Sequence, residues 1–359
     1  MGSITPPASP SYQKLWRETP CIESRALSQV AGCRIFLKLD HLQPSGSFKS
    51  RGIGHLIALA SARTTSPHFY CSSGGNAGLA CATACLTLSH PCTIVVPSTT
   101  MAFMVVKLRA LGATVHQAGR NWKEADTYMR ESVMGQQQSK GEEEVYVPPF
   151  DHPDIWEGAS SLVPELETQM KPSGGYDGVV CSVGGGGLLV GIADGLRQAG
   201  RTKQSRGGAQ RDAGGITSIA TSLGCVRVAE RAYEVALGEG VQVAVLSDAQ
   251  AAMGSVHLAD MERILAEAAC GVSVAACFDG SLRRGLGGGC GDEEWAQKNV
   301  VVVVCGEYCV DAVVGGTDRV VRKVLQARLV EGEDVVRERE GYEKLGKVDA
   351  GFQQWAVRA

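Results

Sequence analysis

One lysine, Lys49, has neighbours that could give its amine a chemical role. It lies in the sequence Ser-Gly-Ser-Phe-Lys-Ser-Arg of residues 45–51, between a strand-like run at 35–39 and a helix-like run at 52–60. Backbone N–H groups are free at a helix start, which favours a bulky anion there. The apolar Phe48 can lower the pKa of the amine by desolvation, which would make it a nucleophile and a base. The simpler alternative is a surface lysine at a helix start.

Two further stretches place small residues between a strand-like and a helix-like run. Residues 72–78 read Ser-Ser-Gly-Gly-Asn-Ala-Gly, and residues 182–188 read Ser-Val-Gly-Gly-Gly-Gly-Leu. Successive glycines at the positive end of a helix dipole expose backbone N–H groups, which suits a phosphate. No Walker lysine follows either run, and neither has the spacing of a dinucleotide-binding loop. A tight turn that needs glycine is the alternative.

In this order, the three stretches resemble the motifs of fold-type II pyridoxal-phosphate enzymes, with the strongest likeness to eukaryotic L-serine/L-threonine dehydratases (ammonia-lyases). The resemblance covers most of residues 12–306. Further segments that carry it are 19–20, 38–40, 107–112, 148–153, 156–158, 216–224 and 300–306.

Strand and helix patterns alternate through the first two thirds of the chain, which predicts an α/β fold with mainly parallel sheets flanked by helices. The resemblance implies two domains, as in the tryptophan synthase β-subunit, with the cofactor between them. Its domain boundaries would give a large domain from 1–43 and 148–330, a small domain from 44–147, and a charged C-terminal tail of helical composition at 331–359.

The resemblance also assigns a cofactor and its ligands. Lys49 would hold pyridoxal 5'-phosphate covalently and, once freed, take the Cα proton of the substrate. Phe48 would pack beside the cofactor, and the thiol of Cys305 would face its ring nitrogen, although a buried structural cysteine is the alternative. The cofactor phosphate would bind backbone N–H groups of Gly184, Gly185, Gly186, Gly187 and Leu188.

By the same resemblance, a cradle for the substrate carboxylate would form at the second stretch. A hydroxyl, an amide and free backbone N–H groups suit a carboxylate. Asn76 would also reach the phenolic oxygen of the cofactor, and a helix N-cap is the alternative role for it. The residues of this cradle would be Ser73, Gly74, Asn76 and Ala77.

The implied activity is dehydration and deamination of L-serine, and of L-threonine, to pyruvate or 2-oxobutanoate and ammonia. Two alternatives stand beside it. One is a serine racemase, or another pyridoxal-phosphate enzyme of β-elimination or β-replacement. The other belongs to a different class, a catalytically impaired pseudoenzyme that binds the cofactor without turnover.

The chain departs from the family pattern in two places. Residues 201–215 are polar, basic and Gly-rich where the family has a core strand. The family's monovalent-cation site draws on that region, and only Gly184 can be carried over as a ligand, so no metal site is predicted. After Gly306 the chain has Glu307 where the family has small polar residues. The protein is then an active variant with local rewiring, a decayed sequence that folds poorly, or a folded pseudoenzyme.

The composition of the chain limits the classes of protein to which it could belong. The chain has 359 residues and a formal net charge of -3, with a pI near 6.2, which gives no sign of nucleic-acid or membrane-surface binding. No apolar run has the length of a transmembrane helix, and residues 1–10 are expected to be a flexible leader. Thirteen scattered cysteines favour free thiols in a reducing compartment, hence a cytoplasmic protein. The family suggests a homodimer.

Overall fold

The computed structural model describes residues 12–135, 142–201 and 218–306, together with the backbone of residues 352–358. In this part of the chain, the strands form one sheet of four strands and one of six. Five of the strand pairs are parallel and three are antiparallel. The predicted α/β fold with mainly parallel sheets and flanking helices is confirmed.

The strands of the described residues are numbered along the chain. They are β1 (Cys21–Ser24), β2 (Arg34–Lys38), β3 (Pro67–Cys71), β4 (Cys92–Val96), β5 (Thr114–Gln117), β6 (Glu143–Tyr146), β7 (Gly178–Ser182), β8 (Val241–Leu246), β9 (Asn299–Val303) and β10 (Phe352–Arg358).

The α-helices of the same residues are numbered in the same way. They are α1 (Arg25–Ala31), α2 (Lys49–Arg63), α3 (Asn76–Leu88), α4 (Ala102–Ala110), α5 (Trp122–Tyr128), α6 (Pro153–Ser160), α7 (Leu162–Gln169), α8 (Gly187–Gln198), α9 (Glu230–Ala236), α10 (Asp248–Glu262), α11 (Ala268–Ala275), α12 (Ser281–Leu286) and α13 (Asp292–Ala296).

The four-stranded sheet has the order β5-β4-β3-β6 and is entirely parallel. Its two central strands, β3 and β4, are buried at every residue, as continuous apolar runs in parallel sheets usually are. Helices α2 and α3 pack together against it and share an apolar core with the strands. The polar and charged sequence at 136–144 predicts a loop between domains, but this is wrong at its end, because Glu143 and Glu144 belong to β6. Residues 136–141 lie outside the described part.

The six-stranded sheet has the order β1-β2-β9-β7-β10-β8. Strands β2, β9 and β7 are parallel to one another, and the valine-rich β9 is completely buried between them. β-Branched side chains fit such a pleated surface well. The pair α6 and α8 packs beside this sheet, and α10 packs against α11. The carboxyl ends of β7 and β9 therefore lie side by side.

Within the tail at 331–359, whose composition predicts helix, residues 352–358 form strand β10 instead, while residues 331–351 lie outside the described part. The backbone of β10 lies between β7 and β8 and pairs antiparallel with both, so that Gln354 stands opposite Ser182 and Ala244. Without it, both neighbours would present unpaired N–H and C=O groups at sheet edges, which is unfavourable. The polar sequence at 201–215 predicts that the large sheet lacks a core strand. Residues 202–217 lie outside the described part, but β10 pairs with both of its neighbours, so the large sheet is continuous.

Among the residues that the structure describes, no helix is both long and apolar enough to cross a membrane.

Candidate active site

The loop that carries Lys49 is fastened to the end of β9. The N–H of Phe48 donates to the carbonyl of Cys305 at 2.9 Å, and Ser47 forms an isolated β-bridge with Gly306. Lys49 is then the first residue of α2. These contacts hold Lys49, at the start of a helix, beside Cys305, just after the end of a buried strand.

A buried ionic network fixes the first turn of α2. The guanidinium of Arg51, which is completely buried, donates to both oxygens of Asp40 at 2.7 and 2.8 Å and to both oxygens of Glu165 at 2.7 Å. Lys38 adds an ion pair of 2.6 Å to Glu165. Buried charges are tolerated when they are paired in this way. Burial opposes ionisation of Asp40, but Arg51 outweighs it and holds the pKa of Asp40 below its usual range.

The amine of Lys49 is held in an aromatic and apolar setting. Its Nζ donates to the carbonyl of Pro149 at 2.5 Å and lies 5.2 Å from the ring centroid of Phe48 and 5.9 Å from that of Phe150. Burial lowers the pKa of Lys49 from 10.5 to about 8, and nearby Cys and Glu side chains only partly oppose that shift. A usable fraction of the amine is thus neutral near physiological pH, as a nucleophile and base requires.

The glycine run at 184–187 forms the turn between β7 and α8. A Cβ atom on Gly185 would lie 2.2 Å from the ring of Phe150, and one on Gly187 would lie 2.9 Å from the carbonyl of Phe150. Gly186 has a φ of +96°, a conformation that residues with a side chain rarely adopt. The turn therefore presents only backbone at the start of a helix, which suits a phosphate.

The turn at 73–77 joins β3 to α3 in the other sheet. The Oγ of Ser73 accepts from the N–H of Gly75 at 3.3 Å. Gly74 lies so close to Thr100 that a Cβ atom would approach its Cγ2 to 2.8 Å. Ala77 is buried in the first turn of the helix. The alternative role of Asn76 as the N-cap is wrong, because Gly75 is the N-cap residue and Asn76 follows it.

Cys305 follows β9 and is almost completely buried. Its Sγ lies 3.3 Å from the Oγ of Ser182, and its N–H donates to the Sγ of Cys270 at 3.3 Å. Hydrogen bonding to Cys270 and burial raise the pKa of the Cys305 thiol well above its usual value. The thiol is therefore neutral, and its neighbours are the ends of β7 and β9.

Glu267 is a site residue that the sequence prediction missed. Its Oε1 accepts from the Nδ2 of Asn76 at 2.8 Å, and its Oε2 accepts from the Oγ of Ser222 at 2.5 Å. A Cβ atom on Gly306 would lie 2.7 Å from the same carboxylate. The only local signal was an acidic residue directly before an apolar helix, which also occurs at ordinary helix starts.

The structure thus brings together Phe48, Lys49 and Cys305, while Asn76 is joined to the large sheet through Glu267. The glycine turn reaches Lys49 through Phe150, whose ring packs on Gly185 and lies near the amine. Leu188 is buried in the first turn of α8. A lysine amine with a lowered pKa, a backbone turn suited to a phosphate and a hydroxyl–amide turn fit a phosphorylated pyridine aldehyde. Glu307 lies outside the described residues.

Comparison with known proteins agrees with this geometry. A family model described as "Pyridoxal-phosphate dependent enzyme" matches residues 12–306. The chain is 42% identical over 304 residues to a human protein named "Serine dehydratase-like", covering 80% of this chain and 89% of that one. It is 38% identical over 302 residues to the "Catabolic L-serine/threonine dehydratase" of Saccharomyces cerevisiae, covering 77% and 83%.

A solved structure gives the same result. The crystal structure of a fungal L-serine ammonia-lyase from Rhizomucor miehei matches with a TM-score of 0.70 and 30% identity, covering 82% of this chain and 95% of that chain. The family model alone spans well over half of the 359 residues. The resemblance inferred from the three motifs is confirmed: the chain belongs to the family of pyridoxal-phosphate dependent enzymes.

Proposed function

We propose that this protein is an L-serine ammonia-lyase that also accepts L-threonine, forming pyruvate or 2-oxobutanoate and ammonia. The observation that carries the proposal is the position of the Lys49 amine, which donates to the carbonyl of Pro149 and lies near the rings of Phe48 and Phe150. This amine lies beside the end of β9, and burial lowers its pKa to about 8. The relatives named as serine and threonine dehydratases support the choice of substrate.

Pyridoxal phosphate, when bound, withdraws electrons from the substrate's Cα and so weakens the Cα–H bond. We propose that Lys49 holds it covalently and that Phe48 packs beside it. Asn76 would bind its phenolic oxygen, and Cys305 would face its ring nitrogen. Its phosphate would bind the backbone N–H groups of Gly184, Gly185, Gly186, Gly187 and Leu188.

The substrate carboxylate would bind at the start of α3. The 13-residue helix places the positive end of its dipole at that turn, which favours an anion. Ser73 contributes a hydroxyl, Asn76 an amide, and Gly74 and Ala77 their backbone N–H groups. This orients the Cα–H bond toward a single base, which we assign to Lys49.

Lys49 is suited to proton transfer because its amine is partly neutral near pH 7. Desolvation would keep its pKa depressed once the site is closed, and Phe48 and Phe150 exclude water on two sides of it. The neutral Cys305 thiol is at most a weak hydrogen-bond donor and does not stabilise a charged ring nitrogen. That property supports elimination rather than transamination.

The continuity of the large sheet supports an active enzyme over the pseudoenzyme alternative, because β10 satisfies the strand edges beside the glycine turn. We further propose the predicted division into a large domain, a small domain and the cleft between them. No disulfide joins the 12 cysteines of the described residues, which supports a cytoplasmic location. A homodimer is proposed from the family, with light scattering of the purified protein as its test.

The experiment follows products from single substrates. L-Serine, L-threonine and D-serine are each incubated with the cofactor-loaded protein, and 2-oxo acid, ammonia and the enantiomer of serine are measured. We expect pyruvate and ammonia in equal amounts from L-serine, 2-oxobutanoate from L-threonine, and none of these from a Lys49→Ala variant. D-Serine formed from L-serine faster than pyruvate would indicate a racemase instead. No product from a folded, cofactor-loaded protein would indicate the pseudoenzyme.

A further inference from the structure

Three cysteines meet at the end of the small sheet where β4 begins, away from the proposed active site. Cys81 and Cys85 lie one turn apart on α3, and Cys92 is the first residue of β4. Their Sγ atoms all lie within 4.8 Å of one another, and those of Cys81 and Cys92 are 3.7 Å apart. All three side chains are buried.

The separation of Cys81 and Cys92 matches that of thiolates that share a metal ion, and Cys85 lies within 4.8 Å of both. A metal–sulfur bond of about 2.3 Å places sulfur atoms roughly 3.8 Å apart around a tetrahedral ion and roughly 4.0 Å apart around a trigonal one, by simple geometry. The pair of Cys81 and Cys92 already has that spacing. Small side-chain rotations would bring Cys85 to it as well.

The number and type of ligands favour one class of ion. Thiolates select soft ions, chiefly Cu(I) and zinc, and structural zinc takes four ligands. In the described part of the chain, the group contains three sulfurs and no histidine nitrogen or carboxylate oxygen. A fourth cysteine, Cys71, borders Cys81 but is not one of the three mutually close sulfurs. A set of three sulfurs suits Cu(I), which is stable in trigonal coordination.

The cluster lies at the opposite end of the sheet from the active site. The strands of this sheet are parallel, so Cys92, at the amino end of β4, lies far from the 73–77 turn, which follows the carboxyl end of β3. The segment between α3 and β4 includes the exposed residues Ser89 and Pro91. Opening of this short segment would admit an ion without disturbing Lys49.

We propose that Cys81, Cys85 and Cys92 form a binding site for a single Cu(I) ion. Each thiol that becomes a thiolate ligand releases its proton to solvent, and the copper stays in its monovalent state, so no electron is transferred. The bound ion would tie α3 to β4 within the core of the small sheet.

The test is equilibrium dialysis of the cofactor-loaded protein, under reducing and oxygen-free conditions, against Cu(I) buffered by a chelator. Wild type is compared with a Cys81→Ala, Cys85→Ala, Cys92→Ala triple variant and with Cys277→Ala, which removes a buried thiol elsewhere. We expect the triple variant to bind one copper fewer per chain than either of the others. X-ray absorption of the wild-type protein should show a shell of sulfur alone.

Three outcomes would overturn the proposal. The first is equal copper binding by the wild type and the triple variant. The second is Zn²⁺ that binds to these sulfurs and keeps Cu(I) out. The third is a Cys81–Cys92 disulfide in the protein as isolated. If the triple variant does not fold, Cys85→Ala alone carries the same comparison, with circular dichroism as the check on its fold.

Discussion

The two sheets of this protein are built in different ways. The small sheet contains four parallel strands that follow one another between residues 67 and 146. The large sheet combines strands from both ends of the chain, with β1 and β2 at one side and β10 from residues 352–358 between β7 and β8. The small sheet therefore forms from strands that are close in sequence. The large sheet, in contrast, requires pairing between strands that are far apart in the sequence.

This difference matters because each sheet supplies one half of the proposed site. The 73–77 turn belongs to the small sheet, and the glycine turn and Cys305 belong to the large one. Lys49 lies between them, at a helix of the small sheet that is fastened to the end of β9. Changes at the turn of the small sheet should therefore affect substrate binding, whereas changes at the turn of the large sheet should affect cofactor binding.

The largest effect is expected from removal of residues 352–359. Strands β7 and β8 would each lose a hydrogen-bonded neighbour, and the glycine turn directly follows β7. We expect most of the cofactor binding to be lost, together with cooperative unfolding, as followed by visible absorbance and by circular dichroism on heating. Deletion of residues 1–8, which are of similar number, is the control and should change neither. A truncated protein that keeps its cofactor would show that β10 is dispensable.

The next effect tests the link between the two halves at Arg51. Arg51→Met would leave Asp40 and Glu165 buried without their cation, which costs about 3–5 kcal/mol in comparable cases. The free energy of unfolding in urea measures it. The control is Arg34→Met, which breaks a half-exposed pair with Glu23 and should cost at most about 1 kcal/mol. Equal losses for both variants would mean that the network does not hold α2.

Matched glycine substitutions compare the two turns directly. Gly185→Ala puts a methyl group 2.2 Å from the ring of Phe150 and should weaken cofactor binding by roughly tenfold or more. Gly74→Ala meets Thr100 at 2.8 Å and should instead raise KM for L-serine by less than about tenfold. Cofactor titration and steady-state kinetics separate the two effects.

A second substitution, at Thr100, tests whether the clash with its side chain causes the effect of Gly74→Ala. Thr100→Ser removes the methyl group that Gly74→Ala would meet at 2.8 Å but keeps the hydroxyl at 3.0 Å, so the double variant should regain part of the lost affinity for L-serine. If Gly74→Ala lowers cofactor affinity while Gly185→Ala leaves it unchanged, the assignment of the two turns is reversed.

The smallest effect concerns Glu267, which bonds to residues on both sides of the site. Burial sets the pKa of Lys49 at about 8, and Glu267 is one of the charges that raise it. Cofactor attachment to the apoprotein needs the neutral amine, so its rate should rise with pH through about 8. Glu267→Gln should move that rise to lower pH, by less than about one unit.

The exposed Glu239 provides the control for this shift. Glu239→Gln should leave the pH dependence of attachment unchanged. A Glu267→Gln profile that moves to higher pH would contradict the electrostatic role assigned to this carboxylate.

Much of the fold and the site could be predicted from sequence, for a physical reason. Lys49, the 73–77 turn and the glycine turn are each short segments at a strand-to-helix junction, where local residue types reflect local backbone needs. In the same way, the run of valines at 300–304 predicts a buried strand. The predicted roles of these residues toward cofactor and substrate await the experiments above.

What could not be predicted depends on contacts between distant segments. Glu267 meets Asn76 across 191 positions of sequence, and no local pattern specifies such a pair. The same is true of β10, whose partners are strands β7 and β8. Its residues include β-formers such as Phe352, Trp355 and Val357, but strand propensity alone does not say which edge a strand will join.

The most direct test of the proposed function is to locate pyridoxal phosphate on the polypeptide. The purified, cofactor-loaded protein is reduced with borohydride, digested, and mapped by mass spectrometry. We expect a visible absorbance band that reduction abolishes, with the cofactor retained on the peptide that contains Lys49. Cofactor on a different lysine, or none on a folded and soluble protein, would contradict the proposal.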